Sequence, residues 1–296
     1  PNFAGVTGEK SLDKGFSAGF KLEQGFLLNN ARQNQGTPSN SRFFFGDDSV
    51  FNRQANLFIK NSALTFTAGT QPNIAFNSVL MADPRSGSNF GSSLAAVVIS
   101  GGLGTIDNGS LSLTSAPMSG FTLSAQYVPQ ESATSAVKTA SRLAVTYAAG
   151  DLAATLATYS NTSNTTDPDS TGYVAGATYK LGAFTLKGLN VSQKKDPDTL
   201  KTNGLGGSYT MSANTTFDFG TYKSTKTDYS MSTNAVGVYH KFLKDLTIYG
   251  QYASVKNKGA NSTPYNFAPP MVVNDGFITT GQTATTLNVG LLYSFF

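Results

Sequence analysis

Eight ionisable side chains keep the polar beat of segments that alternate apolar and polar residues: Lys21, Glu23, Lys60, Arg142, Lys180, Lys187, Asp218 and Lys241. Six are basic and two are acidic. Side chains on a strand alternate faces, so groups spaced this way gather on one side of a sheet. If that side encloses water, their chemistry is electrostatic. Fixed charge along a narrow passage concentrates counter-ions, and rings of charge bias which ions cross. Catalysis finds less support. His240 is the only histidine and there is no cysteine, so neither a Ser-His pair, a His-rich metal site nor a thiol-ligated metal stands out. His240 shares the apolar beat of Val236 and Val238 beside a short turn, which suits an interface. Asp167-Pro168-Asp169 reads as a turn rather than a calcium rim. Lys194-Lys195-Asp196-Pro197-Asp198 reads as a solvated loop.

Strands must position these groups. In the closing stretch Thr285–Phe296, the residues Leu287, Val289, Leu291, Tyr293 and Phe295 are apolar or aromatic. Asn288, Gly290, Leu292 and Ser294 between them are mostly small or polar. Phe121, Leu123, Ala125 and Tyr127 oppose Thr122, Ser124 and Gln126 in the same way. So do Leu143, Val145 and Tyr147 against Arg142, Ala144 and Thr146. Turn-forming residues separate such runs at Asp13-Lys14-Gly15, Asn61-Ser62, Met118-Ser119-Gly120, Gly150-Asp151, Gly182, Ala213-Asn214 and Lys244-Asp245. Between them fall long connections, at about 27–50, 70–109, 129–141, 160–171, 194–203, 224–233 and 257–284. Short turns on one side and long loops on the other are the pattern of outer-membrane barrels. Seven hairpins and a final strand make fifteen strands.

Composition agrees. No run approaches the roughly 20 apolar residues of a spanning helix; the longest, Leu94–Ile99, is far shorter. The net charge is +4 with scattered bases, which gives no nucleic-acid footprint. Pro1-Asn2-Phe3 lacks the regions of a signal peptide, so the chain reads as mature or shortened. Single-chain bacterial barrels have even strand counts, which leads us to expect one further strand upstream of Pro1, or an irregular substitute for it.

Certain residues also resemble a family. Gly8-Glu9, Leu12-Asp13-Lys14-Gly15-Phe16, Phe20-Lys21-Leu22-Glu23, Phe51-Asn52-Arg53-Gln54-Ala55 and Asp107-Asn108-Gly109 are similar to trimeric general porins of Gram-negative outer membranes, particularly the beta-proteobacterial branch. Pro117 before Gly120-Phe121, Leu246–Tyr252 with Val255-Lys256-Asn257, and the ending Val289-Gly290-Leu291 with Phe295 continue the match in order. Phe296 departs from it, as one residue beyond the expected terminal aromatic.

The resemblance implies an all-β transmembrane antiparallel barrel of sixteen strands, one domain over 1–296, and a homotrimer. It implies contact with outer-membrane lipid and lipopolysaccharide, and no cofactor. It also implies a third loop, about Thr70–Asn108, folded into the lumen as a constriction. That loop adds Asp83 and Arg85 near its middle and Asp107 at its end, and Leu94–Ile99 would pack on the inner wall. Anion-selective members carry an arginine cluster there. This chain has Thr70 where an arginine would stand, no base in Gly109-Ser110-Leu111, and none at Asn2-Phe3. Arg53 keeps the beat of Ala55, Leu57 and Ile59, which suits an interfacial or trimer-contact residue rather than a pore residue. The expected function is passive diffusion of small hydrophilic solutes and ions across the outer membrane, with weak anion preference. The alternative is a substrate-specific channel, which would need an ordered ladder of aromatic or charged residues along one wall.

Overall fold

Alternation becomes strand almost wherever the sequence carries it. The computed structural model describes residues 2–26, 50–88, 90–130, 137–163, 168–261, 263–264 and 277–294. Its strands are β1 (Asn2–Ser11), β2 (Ser17–Phe26), β3 (Gln54–Lys60), β4 (Leu64–Pro72), β5 (Ile106–Ser115), β6 (Phe121–Val128), β7 (Val137–Ala149), β8 (Leu152–Ser163) and β9 (Ser170–Leu181). There follow β10 (Phe184–Lys195), β11 (Asp198–Ser212), β12 (Thr215–Lys226), β13 (Tyr229–Leu243), β14 (Leu246–Asn257), the two-residue strands β15 (Thr263–Pro264) and β16 (Phe277–Ile278), and β17 (Thr283–Tyr293). Fifteen of them form one sheet in which each strand neighbours the next in sequence, with β17 beside β14. β15 and β16 pair only with each other. One helix, α1 (Ile74–Ala82), and a π-helical turn at Ala95–Ser100 lie between β4 and β5. Among the described residues no helix is long and apolar enough to cross a membrane. The sixteenth strand expected upstream of Pro1 falls outside the described residues, as does Phe296.

The chain divides into two compact units. One takes in Pro1–Ser78, Gly102–Tyr147 and Leu156–Tyr173; the other takes in Val79–Gly101, Ala148–Thr155 and Val174–Phe296.

All seven short turns stand where the sequence sets them. Gly150 and Gly182 adopt φ of 56° and 58°, the left-handed geometry that tight hairpins require and that glycine reaches without strain. The long connections are less regular than the sequence suggests. Asp196-Pro197 and Thr227-Asp228 are two-residue links, because β10–β13 extend through 194–203 and 224–233. These extensions are rich in Thr, Ser and Lys, so the ladder continues past the point where an apolar beat marks it.

Burial is inverted relative to a water-soluble sheet. Along β12, Phe217 and Phe219 are exposed while Asp218, Gly220, Tyr222 and Ser224 are buried. Along β13, Val236 and Val238 are exposed and Thr233, Ala235 and Gly237 are buried. On the exposed face the register sets Leu186, Gly207, Phe219, Val236, Tyr252 and Leu287 in one row across β10–β14 and β17. Leu205 is 66% exposed and Leu287 77%. Continuous apolar surface on this scale is the mark of a membrane-facing sheet.

Candidate functional site

The small-residue face carries the polar groups, and in the second unit it also carries a loop. From Val79 to Gly101 the chain lies on β9–β14. Gly91 has φ 68°, and a Cβ there would lie 2.4 Å from the Ala235 Cβ and 2.7 Å from that of Ala253, so only glycine lets the backbone come this close. Ala96 packs with Leu200, Tyr229, Met231, Val255 and Ile278, where the sequence expects Leu94–Ile99 to meet an inner wall. Gln193 Nε2 donates to the Val97 carbonyl at 2.9 Å, and Thr178 Oγ1 to that of Met81 at 3.3 Å.

Asp83 and Arg85 are the polar anchors of this loop. Asp83 is wholly buried. Its Oδ1 accepts the backbone N–H of Arg85 at 2.9 Å and the Tyr222 hydroxyl at 3.0 Å, and its Oδ2 accepts the Ser93 N–H at 3.0 Å. Arg85 Nε lies 2.9 Å from Asp218 Oδ1 on β12, and its Nη1 donates to the carbonyls of Phe90 and Gly91. Asp218 Oδ2 accepts the Tyr239 hydroxyl at 2.9 Å, and Tyr239 in turn accepts from Gln251 Nε2. A buried charge must be paired and hydrogen-bonded to be tolerated, and this network does both. Its members therefore hold the loop to the wall and offer little free charge to a passing ion. Lys187 donates to Ser86 Oγ at 2.8 Å. Lys180 and Lys241 share this face, on β9 and β13, and both are exposed.

In the first unit a second buried pair joins Arg142 Nη2 to Asp107 Oδ1 at 2.8 Å. Arg142 Nη1 also donates to Asn161 Oδ1 at 3.1 Å. Nearby, Gln126 Nε2 donates to Ser110 Oγ, and its Oε1 accepts the Ile74 N–H at 3.0 Å. On β1–β3, half-buried Lys60 pairs with exposed Glu9 at 2.7 Å. Glu23 accepts Gln54 Nε2 at 2.7 Å and lies 3.6 Å from Arg53 Nε. Lys21 is exposed, with no partner among the described residues. Together with Gln54, Asn56, Phe58, Lys60 and Gln71, it lines a recess of about 320 Å³.

The strand parity assigned to Arg53 does not hold. Arg53 sits beside Glu23 and against the Phe3 ring, 4.4 Å from its centroid, rather than on the beat of Leu57 and Ile59. The reason is local: Phe51 has φ 61° and β3 begins only at Gln54, so strand parity does not extend back to Arg53. Burial pulls its guanidinium below the ordinary value while Glu23 pulls it back, and it remains a cation.

All eleven ionisable residues singled out in the sequence fall on the small-residue face or in the inward loop, but the structure sorts them. Asp83, Arg85, Asp107, Arg142 and Asp218 are buried. Glu23, Lys60 and Lys187 are half-buried and bonded, while Lys21, Lys180 and Lys241 are exposed. Sequence reasoning missed Glu9, Tyr222, Tyr239 and Gln251. The tyrosines carried a signal, since Tyr222 keeps the beat of Asp218 and Tyr239 that of Lys241, where an aromatic is out of place. The Asp167–Asp169 turn lies partly outside the described residues; Asp169 Oδ1 accepts the Ser163 N–H at 2.8 Å. His240 is exposed, with Nδ1 2.9 Å from Thr215 Oγ1. Among the described residues no cluster of histidine, aspartate and glutamate could hold a metal.

A family model described as Gram-negative porin matches residues 2–260. No curated protein sequence matches the chain. Among solved structures, an anion-selective porin from Comamonas acidovorans superposes with a TM-score of 0.82 at 20% identity, over 99% of this chain and 89% of that one. The trimer form of OmpT, an outer membrane protein of Vibrio cholerae, gives 0.67 at 16% identity, over 98% and 90%. A mutant of the Rh. blastica porin gives 0.61 at 15%, over 99% and 89%. At these identities the likeness is one of fold.

Proposed function

The chain belongs to the Gram-negative porin family, and from that premise we propose a weak anion preference for the outer-membrane diffusion channel it forms. The observation that carries the preference is how the charges are spent. Asp107 and Asp218 are buried against arginines, Glu9 and Glu23 face Lys60 and Arg53, and Asp83 is saturated by donors from its own loop and β12. Lys21, Lys180 and Lys241 have no carboxylate within ion-pair distance among the described residues. Uncompensated lysines raise the local anion concentration. Their number is small and their solvation high, which keeps the bias weak. The similarity to an anion-selective porin supports the sign.

The solutes are small, hydrophilic and driven by their own gradients. A substrate-specific channel would need an ordered ladder, whereas the free lysines stand singly on β2, β9 and β13. Assembly as a homotrimer and contact with outer-membrane lipid and lipopolysaccharide complete the proposal; the OmpT trimer supports the first and the exposed apolar rows the second. Liposome swelling tests the core of it. Vesicles holding the folded protein should swell in mono- and disaccharides at rates falling with solute size, without saturating. Saturation by one sugar would favour the substrate-specific reading.

A further inference from the structure

On β2–β4 the small-residue face carries one large apolar side chain, Phe58, on the beat of Gln54, Asn56 and Lys60. Phe58 faces Gly19 on β2 and Thr67 on β4. Its ring leans onto Gly19, where a Cβ would strike the ring carbons, so glycine lets the aromatic lie along the wall. Half-buried, it forms with Pro72 the apolar part of the recess of about 320 Å³. Two cations flank it. Lys21 is its diagonal neighbour across β2 and β3, about 7 Å away between Cβ atoms. Lys60 Nζ lies 5.5 Å from the ring centroid, but it is held by Glu9, which also accepts the Ser17 hydroxyl at 2.8 Å. The amides that line the recess are engaged as well. Gln54 Nε2 donates to Glu23 and Asn56 Nδ2 to the Thr70 carbonyl at 2.9 Å, while Gln71 Oε1 accepts the Ser112 hydroxyl at 2.7 Å. An aromatic face and the Lys21 ammonium are therefore what the recess offers a solute.

We propose that this recess is a subsite for an aromatic monocarboxylate, with its ring stacked on Phe58 and its carboxylate on Lys21. The proposal rests on the reading of the chain as an outer-membrane channel and names a solute class for it. A concave site with an apolar surface and a few convergent polar groups is the usual form of a small-molecule pocket. A ring laid on Phe58 gains offset stacking, and the Lys21 ammonium donates a charge-assisted hydrogen bond to the acid. Charge sets the orientation. At the Lys60 end Glu9 repels a second carboxylate, whereas Glu23, beside Lys21, is already tied to Gln54 and Arg53. A sugar would need free amides to meet its hydroxyls, and those of Gln54, Asn56 and Gln71 are bonded to the wall. A small inorganic anion would use Lys21 and leave the aromatic face idle. One ring and one cation hold such an acid weakly, so the site enriches it in the passage without excluding other solutes.

The test is saturation-transfer NMR of benzoate with the folded protein in detergent micelles at neutral pH, with protein-free micelles as the blank. Benzoate should bind saturably. Acetate and benzyl alcohol, each lacking one half of the contact, should both bind more weakly. F58L removes the aromatic face and K21Q the charge, and each should weaken benzoate binding about five-fold. K21R should bind benzoate like the wild type. F58L should leave acetate binding unchanged, which a merely structural role for Phe58 would not give. If F58L fails to fold, K21Q, on an exposed side chain, carries the test. Equal benzoate binding by wild type and K21Q would overturn the proposal. So would equal binding of acetate and benzoate to the wild type, which would mark a plain anion site. Bilayer conductance of the same samples separates the two readings. Saturable benzoate binding by a protein that passes no current would uphold the site and overturn the channel, and a conducting protein without saturable binding would do the reverse.

Discussion

Arg85 Nε and Asp218 Oδ1 lie 2.9 Å apart, with the arginine side chain wholly buried. This contact ties the inward loop to β12, and it takes both charges out of play for ions. A sequence can show that an arginine and an aspartate are present. Their distance, 133 residues along the chain, hides that they neutralise each other.

Removing one member leaves the other buried and unpaired, which costs about 3–5 kcal/mol. R85M or D218L should therefore lower the temperature at which the folded band is lost on unheated-versus-heated gels, and should make single-channel current noisier. The double variant should recover much of the loss, because no lone charge remains. Additive losses would show that the pair does not act as a unit.

Gly91 tests the seating of the loop by shape alone. G91V places a branched side chain where the Ala235 and Ala253 methyls already stand. Overpacking of this kind costs about 1–3 kcal/mol before the positive φ adds its own strain. We expect a larger, less steady conductance, since the loop must lift. Wild-type conductance and stability would place the loop elsewhere.

The exposed rows test the inversion of burial. F219R puts a charge on the apolar face and should cost about 2–4 kcal/mol in a bilayer, by the depth-dependent penalty for arginine. A change at Phe219 that leaves reversible unfolding in vesicles unaffected would mean that this face does not meet lipid.

Charge accounting gives a further contrast. K21Q removes an unpaired exposed lysine, so the zero-current potential under a salt gradient should move toward cation passage without loss of stability. R142Q combined with D107N removes one charge of each sign from a buried pair and should leave that potential nearly unchanged. A larger shift from the pair than from Lys21 would contradict our ranking of the two.

Much of the fold is legible because a strand in this setting has two faces with opposite demands, and Phe217-Asp218-Phe219-Gly220 states both at once. Turn chemistry at Asp13-Lys14-Gly15 and Gly150-Asp151 sets where strands end. Legibility fails where those demands lapse. Beyond the apolar rows, the Thr- and Ser-rich ends of β11–β13 pair without needing alternation, so they read as loop. At Arg53, the backbone turns at Phe51 and parity no longer reports direction. The site was partly legible: position on the polar beat shows which charges face inward, but not which are spent. That depends on contacts between distant segments, such as Asp83 with Tyr222 and Asp107 with Arg142.

The most direct test of the central claim is the single-channel current and zero-current potential in a planar bilayer under a potassium chloride gradient. We predict large stepwise openings grouped in threes, with a small potential of the sign that favours chloride. Folded, heat-modifiable protein that stays silent, or one that conducts with a potential favouring potassium, would contradict it.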